Sequence, residues 1–216
     1  MLLLCCLVGI FHIFCIHLQS DYTRPMTNDL LAIKLVINIQ TGLLEPVLYR
    51  PSANHDERPA GSPIDMVVVH GISLPPGEFG SGAIEAFFCG TLDMAEHDYY
   101  SCIAHLKVSS HLLIKRTGEI VQFVPFTERA WHAGESAFQG RARCNDFSIG
   151  IELEGTDDIP YEPEQYQQLA RVVRLLMQAY PAMTPDRVVG HVDIAPGRKT
   201  DPGHVFDWAY LKGSLA

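Results

Sequence analysis

Residues 148–180 read SIGIELEGTDDIPYEPEQYQQLARVVRLLMQAY, and this stretch decides the fold class. From Ser148 to Leu153 the pattern alternates. Ile149, Ile151 and Leu153 face one way and Ser148, Gly150 and Glu152 the other, which is the two-residue period of a strand. Further along the period changes. Tyr166, Leu169, Val173, Leu176 and Tyr180 recur at steps of three and four, the single apolar stripe of an amphipathic helix. Pro163 suits a first helical turn, and Pro181 stops the helix.

Working outward, Ile64 to Val69 is a short valine-rich run that reads as a buried strand ending at His70, with Gly71 free to turn sharply. Leu74-Pro75-Pro76-Gly77 is a loop by its prolines, and a helix is predicted around Ala83 to Phe88. Val108 to Lys115 and Glu119 to Val124 flank Arg116-Thr117-Gly118, a hairpin pattern with Gly118 at the turn. Residues 50–63 read as a loop leading into the domain. Strands and helices interleave and one hairpin is present. The predicted fold class is therefore α/β, a single domain with a mixed sheet flanked by helices.

The chain has 216 residues, 47% hydrophobic and 19% charged, enough to bury one core without disulfide staples. A formal net charge of -9, with no basic block, excludes non-specific nucleic-acid binding, which needs a concentrated positive surface. Of six cysteines, Cys5, Cys6 and Cys15 lie in the first twenty residues. Cys89, Cys102 and Cys144 follow neither a disulfide framework nor a metal spacing, and read as buried free thiols in a reducing compartment. Residues 1–18, MLLLCCLVGIFHIFCIHL, are strongly apolar. No basic residue precedes Arg24 and no small-x-small cleavage site follows, so a leader peptide, an anchor and a start at Met26 all stay open.

Ten histidines are too many for all to act. Those at strand ends and in the loops beyond them matter most, because α/β folds place their sites there. His70 closes one apolar run, His191 follows Val188-Val189-Gly190, and Asp201 lies in the Pro- and Gly-rich segment from Ala195 to Gly203. Two imidazoles and a carboxylate suit Zn²⁺ with a fourth position open to water. Spacing alone leaves His105, His111, His132 and His204 as substitutes. Glu152 projects from the non-apolar side of a buried strand, where a carboxylate acts as general base, meets solvent or pairs with an arginine. Lys199 leaves an extended segment on the same side as Asp201, placed to stabilise an oxyanion or simply exposed in a loop.

Several segments together resemble the AmpD-type anhydro-N-acetylmuramoyl-L-alanine amidases. The segment His70-Gly71-Ile72-Ser73-Leu74-Pro75-Pro76-Gly77-Glu78-Phe79-Gly80 is similar to the family's first ligand loop. Arg129 to Gly134 and Arg143 to Gly155 resemble its central motifs, and Gly190-His191 through Arg198-Lys199-Thr200-Asp201-Pro202-Gly203 its last ligand loop. The likeness spans roughly residues 46–210. It implies one Zn²⁺ bound by His70, His191 and Asp201, with Glu152 as general base or acid and Lys199 stabilising the tetrahedral intermediate. Tyr99 then lines the cleft, and Lys107, where the family commonly has arginine, joins Arg143 in holding stem-peptide carboxylates. Gly71 stands where relatives often carry Asn, which removes one hydrogen bond to substrate. The resemblance also implies a fold shared with T7 lysozyme-type amidases and peptidoglycan recognition proteins.

The expectation is thus a monomeric cytoplasmic enzyme of peptidoglycan recycling. It would cleave the amide between (1,6-anhydro-)N-acetylmuramic acid and L-alanine of small muropeptides, with no nucleic-acid or membrane partner. Residues 46–216 form the amidase domain and residues 1–45 an apolar leader or extension. The rival readings are an exported autolysin of the same chemistry and a non-catalytic peptidoglycan-binding module.

Overall fold

The computed structural model describes residues 29–215, so the apolar stretch 1–18 and Met26 lie outside the described residues. Its centre is a six-stranded mixed sheet in the order Val188–Gly190, Met66–Ile72, Ser148–Glu154, Leu112–Ile114, Ile120–Gln122, Leu48–Tyr49. The first four strands are mutually parallel. Ile120–Gln122 runs antiparallel to Leu112–Ile114, and Leu48–Tyr49 follows it in parallel.

Ser148–Glu154 is buried end to end and Met66–Ile72 through His70, with Gly71 and Ile72 half-buried, as befits parallel strands covered on two faces. Their two sides serve different purposes. Val67, Val69, Ile149, Ile151 and Leu153 pack against Leu169, Val173 and Leu176 of the helix Pro163–Ala179, in the main core with Phe206 and Leu211. The opposite side presents Met66, Val68, Ser148, Gly150, His70 and Glu152, and is covered by shorter elements that include the helices Ala83–Phe88 and Asp98–Ile103. The two-residue period of the sequence thus separates a purely structural face from one that carries polar groups.

Gln165, which is fully buried, locks the long helix to the sheet. Its Oε1 accepts from Glu162 N at 3.0 Å, while Nε2 donates to Ile114 O at 3.1 Å and Glu154 O at 3.0 Å. The hairpin forms as expected, with Gly118 at φ +81° in its turn, though its paired strands are shorter than the apolar runs.

Three local expectations need correction. The strand does not end at His70 but runs to Ile72, because Gly71 and Ile72 continue the ladder opposite Leu153 and Glu154. Residues 50–63 are not all loop: His55–Glu57 pairs antiparallel with Glu128–Ala130, drawn together by Arg129, whose guanidinium binds Asp56. The thiols of Cys89, Cys102 and Cys144 are free, yet only Cys144 is buried. Cys102 lies on the exposed side of a one-and-a-half-turn helix and Cys89 is half-buried. Leu35 and Leu44, upstream of residue 46, are buried in the main core. No helix among the described residues is long and apolar enough to cross a membrane.

Candidate functional site

Register brings the first two residues together. His70 and Glu152 are direct neighbours on adjacent parallel strands, on the face away from the long helix. His191 opens the one-turn helix His191–Ile194, immediately after the neighbouring strand Val188–Gly190. Asp201 arrives from the Pro/Gly-rich segment, fixed by Val192 N donating to Asp201 O at 3.0 Å. The next residue is tied down by the buried Tyr161 hydroxyl, which donates to Pro202 O at 2.9 Å.

The three side chains converge on one point. His70 Nδ1 lies 3.0 Å from His191 Nδ1 and 3.2 Å from Asp201 Oδ2, and His191 Nδ1 lies 3.1 Å from Asp201 Oδ2. Three atoms bound to one tetrahedral zinc at about 2 Å stand roughly 3.3 Å apart, so this triangle is nearly of ligand size. The donor chemistry also fits. His191 Nε2 is 3.1 Å from Ala133 O, which can only accept, so that nitrogen carries the proton and Nδ1 turns a lone pair inward. Among the described residues, these three form the group of His, Cys and carboxylate side chains that could hold a metal ion.

The surroundings set the charges. Burial lowers the His70 imidazole from 6.5 to about 4, so it is neutral at pH 7. Burial raises the Asp201 carboxyl, but hydrogen-bond contacts with His191 and His70 outweigh it and hold the group well below the usual carboxylate range. Glu152 goes the other way. Burial first, then the Asp201 charge, push its carboxyl well above 4.5, with Lys199 opposing. Two carboxylates in one site therefore have opposite proton affinities, the condition under which one serves as ligand and the other moves protons.

His70, His191, Asp201, Glu152, half-buried Lys199 and exposed Tyr99 all line one cleft of about 260 Å³. Lys107 is exposed and is not a lining residue, although its neighbours Leu106 and Val108 are. Arg143 also lies outside the lining, with φ +63° and a mostly exposed side chain paired to Asp146. Gly71 lines the cleft beside His70. A larger cavity of about 450 Å³ lies near Ile84 and Glu154, but its Arg50 and Lys115 are already paired with Glu85 and it holds no comparable ligand set.

Of the substitute histidines, His105 and His204 are exposed. His111 faces away from the triangle, its Nδ1 accepting from Gly150 N at 3.0 Å. His132 stands directly behind the site, with Nδ1 at 2.9 Å from His70 Nε2 and Nε2 at 3.1 Å from Ser148 Oγ. Sequence reading offered His132 only as an alternative ligand and passed over Ser148. The available signal was Gly150, a glycine inside a buried strand, which marks close approach by another group.

A mixed sheet that gathers two imidazoles and two carboxylates of opposed proton affinity in one cleft is the arrangement of an amide hydrolase whose triad could hold a metal ion. The particular membership is equally plain: the chain belongs to the N-acetylmuramoyl-L-alanine amidase family, whose pattern matches residues 60–204. It is 60% identical over 174 residues to the 1,6-anhydro-N-acetylmuramyl-L-alanine amidase AmpD of Escherichia coli strain K12, covering 81% of this chain and 94% of that protein. It is 48% identical to AmpD of Haemophilus influenzae over 183 residues, covering 85% of this chain and all of the relative. Among solved structures, a selenomethionine AmpD crystal structure superposes with a TM-score of 0.79 at 55% identity, over 82% of this chain and 98% of the other. The Escherichia coli amidase AmiD, solved with anhydro-N-acetylmuramic acid-L-Ala-D-gamma-Glu-L-Lys, matches at a TM-score of 0.51 and 33% identity, over 73% and 60% of the two chains.

Proposed function

We propose that this protein hydrolyses the amide between (1,6-anhydro-)N-acetylmuramic acid and L-alanine in soluble muropeptides, as a step of peptidoglycan recycling. The observation that carries the reading is the triangle of His70 Nδ1, His191 Nδ1 and Asp201 Oδ2, with edges of 3.0 to 3.2 Å, beside the buried Glu152. Its close relatives are named for that activity, and the AmiD structure holds such a substrate. In this reading His70, His191 and Asp201 hold one Zn²⁺. When bound, the ion polarises a carbonyl and brings the pKa of water toward about 7.

The protein's own groups do the rest. Glu152 accepts a proton from the attacking water, a task suited to a carboxyl whose proton affinity burial has raised. It then returns that proton to the L-alanine nitrogen as the C–N bond breaks, which prevents expulsion of an amide anion. Lys199 offers its ammonium to the oxygen that gains charge in the tetrahedral intermediate. Tyr99 flanks the bound peptide, and Lys107 and Arg143, outside the cleft lining, reach carboxylates further along the stem.

The domain carrying this chemistry is residues 46–216, with residues 1–45 an extension whose Leu35 and Leu44 pack onto it. We assign the reaction to the cytoplasm, in keeping with the free thiols of Cys89, Cys102 and Cys144, and to a monomer. The test is incubation with 1,6-anhydro-N-acetylmuramyl-tripeptide. Release of free tripeptide, abolished by a chelator and restored by Zn²⁺, is expected. Tight binding of the muropeptide without cleavage would overturn the enzymatic reading.

A further inference from the structure

The two histidines of the triangle are both held from behind by one two-residue segment. The side chain of His132 meets His70 Nε2 at 2.9 Å, and the carbonyl of Ala133 meets His191 Nε2 at 3.1 Å. The segment is itself hung from one atom, Asn145 Oδ1, which accepts from His132 N at 3.2 Å and Ala133 N at 2.8 Å.

The proton direction along this chain follows from its far end. Cys144 O can only accept, and Ser148 Oγ lies 2.6 Å from it, so the single hydroxyl proton points there. Toward His132 Nε2, at 3.1 Å, Ser148 can then only accept, so Nε2 bears the His132 proton. A neutral imidazole has one donor and one acceptor, which leaves His132 Nδ1 with a lone pair facing His70. His70 Nε2 is therefore the donor, and His70 Nδ1 presents its lone pair to His191 and Asp201.

Gly150 provides the floor. A Cβ there would stand 2.4 Å from His132 Cγ and 2.6 Å from its Nδ1, so any side chain would displace the ring. Glycine weakens a strand interior, and here it makes room for an imidazole set edge-on to His70, with ring planes at 83°.

We propose that His132 is a positioning residue: backed by Ser148 and seated on Gly150, it fixes the ring orientation and tautomer of His70 that turn Nδ1 into the triangle. This rests on the metal-binding reading of that triangle, and it assigns His132 a partner's role instead of a ligand's.

The test uses the full chain, with Zn²⁺ alone as the probe. His132→Phe keeps a ring on Gly150 but cannot accept a proton, while His132→Gln restores a side-chain acceptor. Zinc affinity, measured by competition with a chromophoric chelator, should fall about 10- to 100-fold in His132→Phe and recover in part in His132→Gln. In the metal-free protein at neutral pH, nitrogen–proton NMR correlations should show neutral His70 as the single Nε2-protonated tautomer in the wild type and as a mixture of the Nε2- and Nδ1-protonated tautomers in His132→Phe. Ser148→Ala, nearly isosteric, should move the same tautomer signal and lower affinity several-fold, and it decides the matter if His132→Phe does not fold. A single Nε2-protonated His70 with wild-type affinity in these variants overturns the proposal, as does an equal loss in His132→Phe and His132→Gln. Failure of the wild type to bind zinc would instead remove the metal reading, and the tautomer spectra would still decide the role of His132.

Discussion

Replacing Glu152 with Gln should cost activity and gain stability at once. The carboxyl is buried, and burial with the Asp201 charge raises its proton affinity well above the ordinary 4.5. The native state therefore keeps a proton that the unfolded chain gives up. Stability from this group is fully present below 4.5 and is lost as pH rises through the window up to the folded value, at about 1.4 kcal/mol per pH unit. Glutamine has nearly the same shape and cannot ionise, so its stability has no such slope. His70 acts in the opposite sense. Its folded value is lowered from 6.5 to about 4, so its contribution is present above 6.5 and falls on acidification by roughly 3 kcal/mol. In the wild type the two slopes oppose each other above 4.5, wherever their windows overlap, whereas Glu152→Gln should lose stability more steeply in acid and surpass the wild type at neutral pH. Urea unfolding of both metal-free proteins from pH 4 to 8 reads this out. Turnover of an anhydro-muropeptide should drop about 100-fold or more with zinc still bound. Parallel stability curves, or near-normal turnover, would refute the reasoning.

Gln165→Leu should destabilise the protein by roughly 3 kcal/mol, because Ile114 O, Glu154 O and Glu162 N lose their partner together; equilibrium unfolding measures it, and a change under 1 kcal/mol would contradict it. Lys199→Ala should lower kcat by about 100-fold while KM stays nearly constant, since the ammonium is assigned to charge that develops only in the transition state; steady-state kinetics separate the two. Arg129→Ala should cost about 2 kcal/mol by freeing Asp56 and Asp146, and should weaken zinc binding by loosening the segment that carries His132; unfolding and chelator competition test both.

Much of this was legible in the chain because period and chemistry coincide. The alternation in Ser148–Leu153 and the helical stripe from Tyr166 to Tyr180 gave both the sheet and its helix, since burial imposes those periods directly. The family likeness singled out His70, His191, Asp201 and Glu152, and the fold brings these four into one cleft. Spacing alone could not have done so, because 121 residues separate His70 from His191 and only sheet register joins them. What stayed hidden depends on packing in three dimensions. His132 is one imidazole among ten until His70 is seen to lean on it, and Ser148 reads as an ordinary strand residue. The continuation of the strand through Gly71 was missed because glycine permits a turn without requiring one. Cys102 was misplaced because composition gives no direction to a side chain on a short helix.

The most direct measurement is zinc content and product release on the same sample. Purified protein stripped of metal, then reloaded, should take up one Zn²⁺ per chain and cleave 1,6-anhydro-N-acetylmuramyl-tripeptide to anhydro-N-acetylmuramic acid and free tripeptide, and Asp201→Ala should fail at both. Full-rate cleavage by the rigorously metal-free protein, or by Asp201→Ala without bound zinc, would contradict the account.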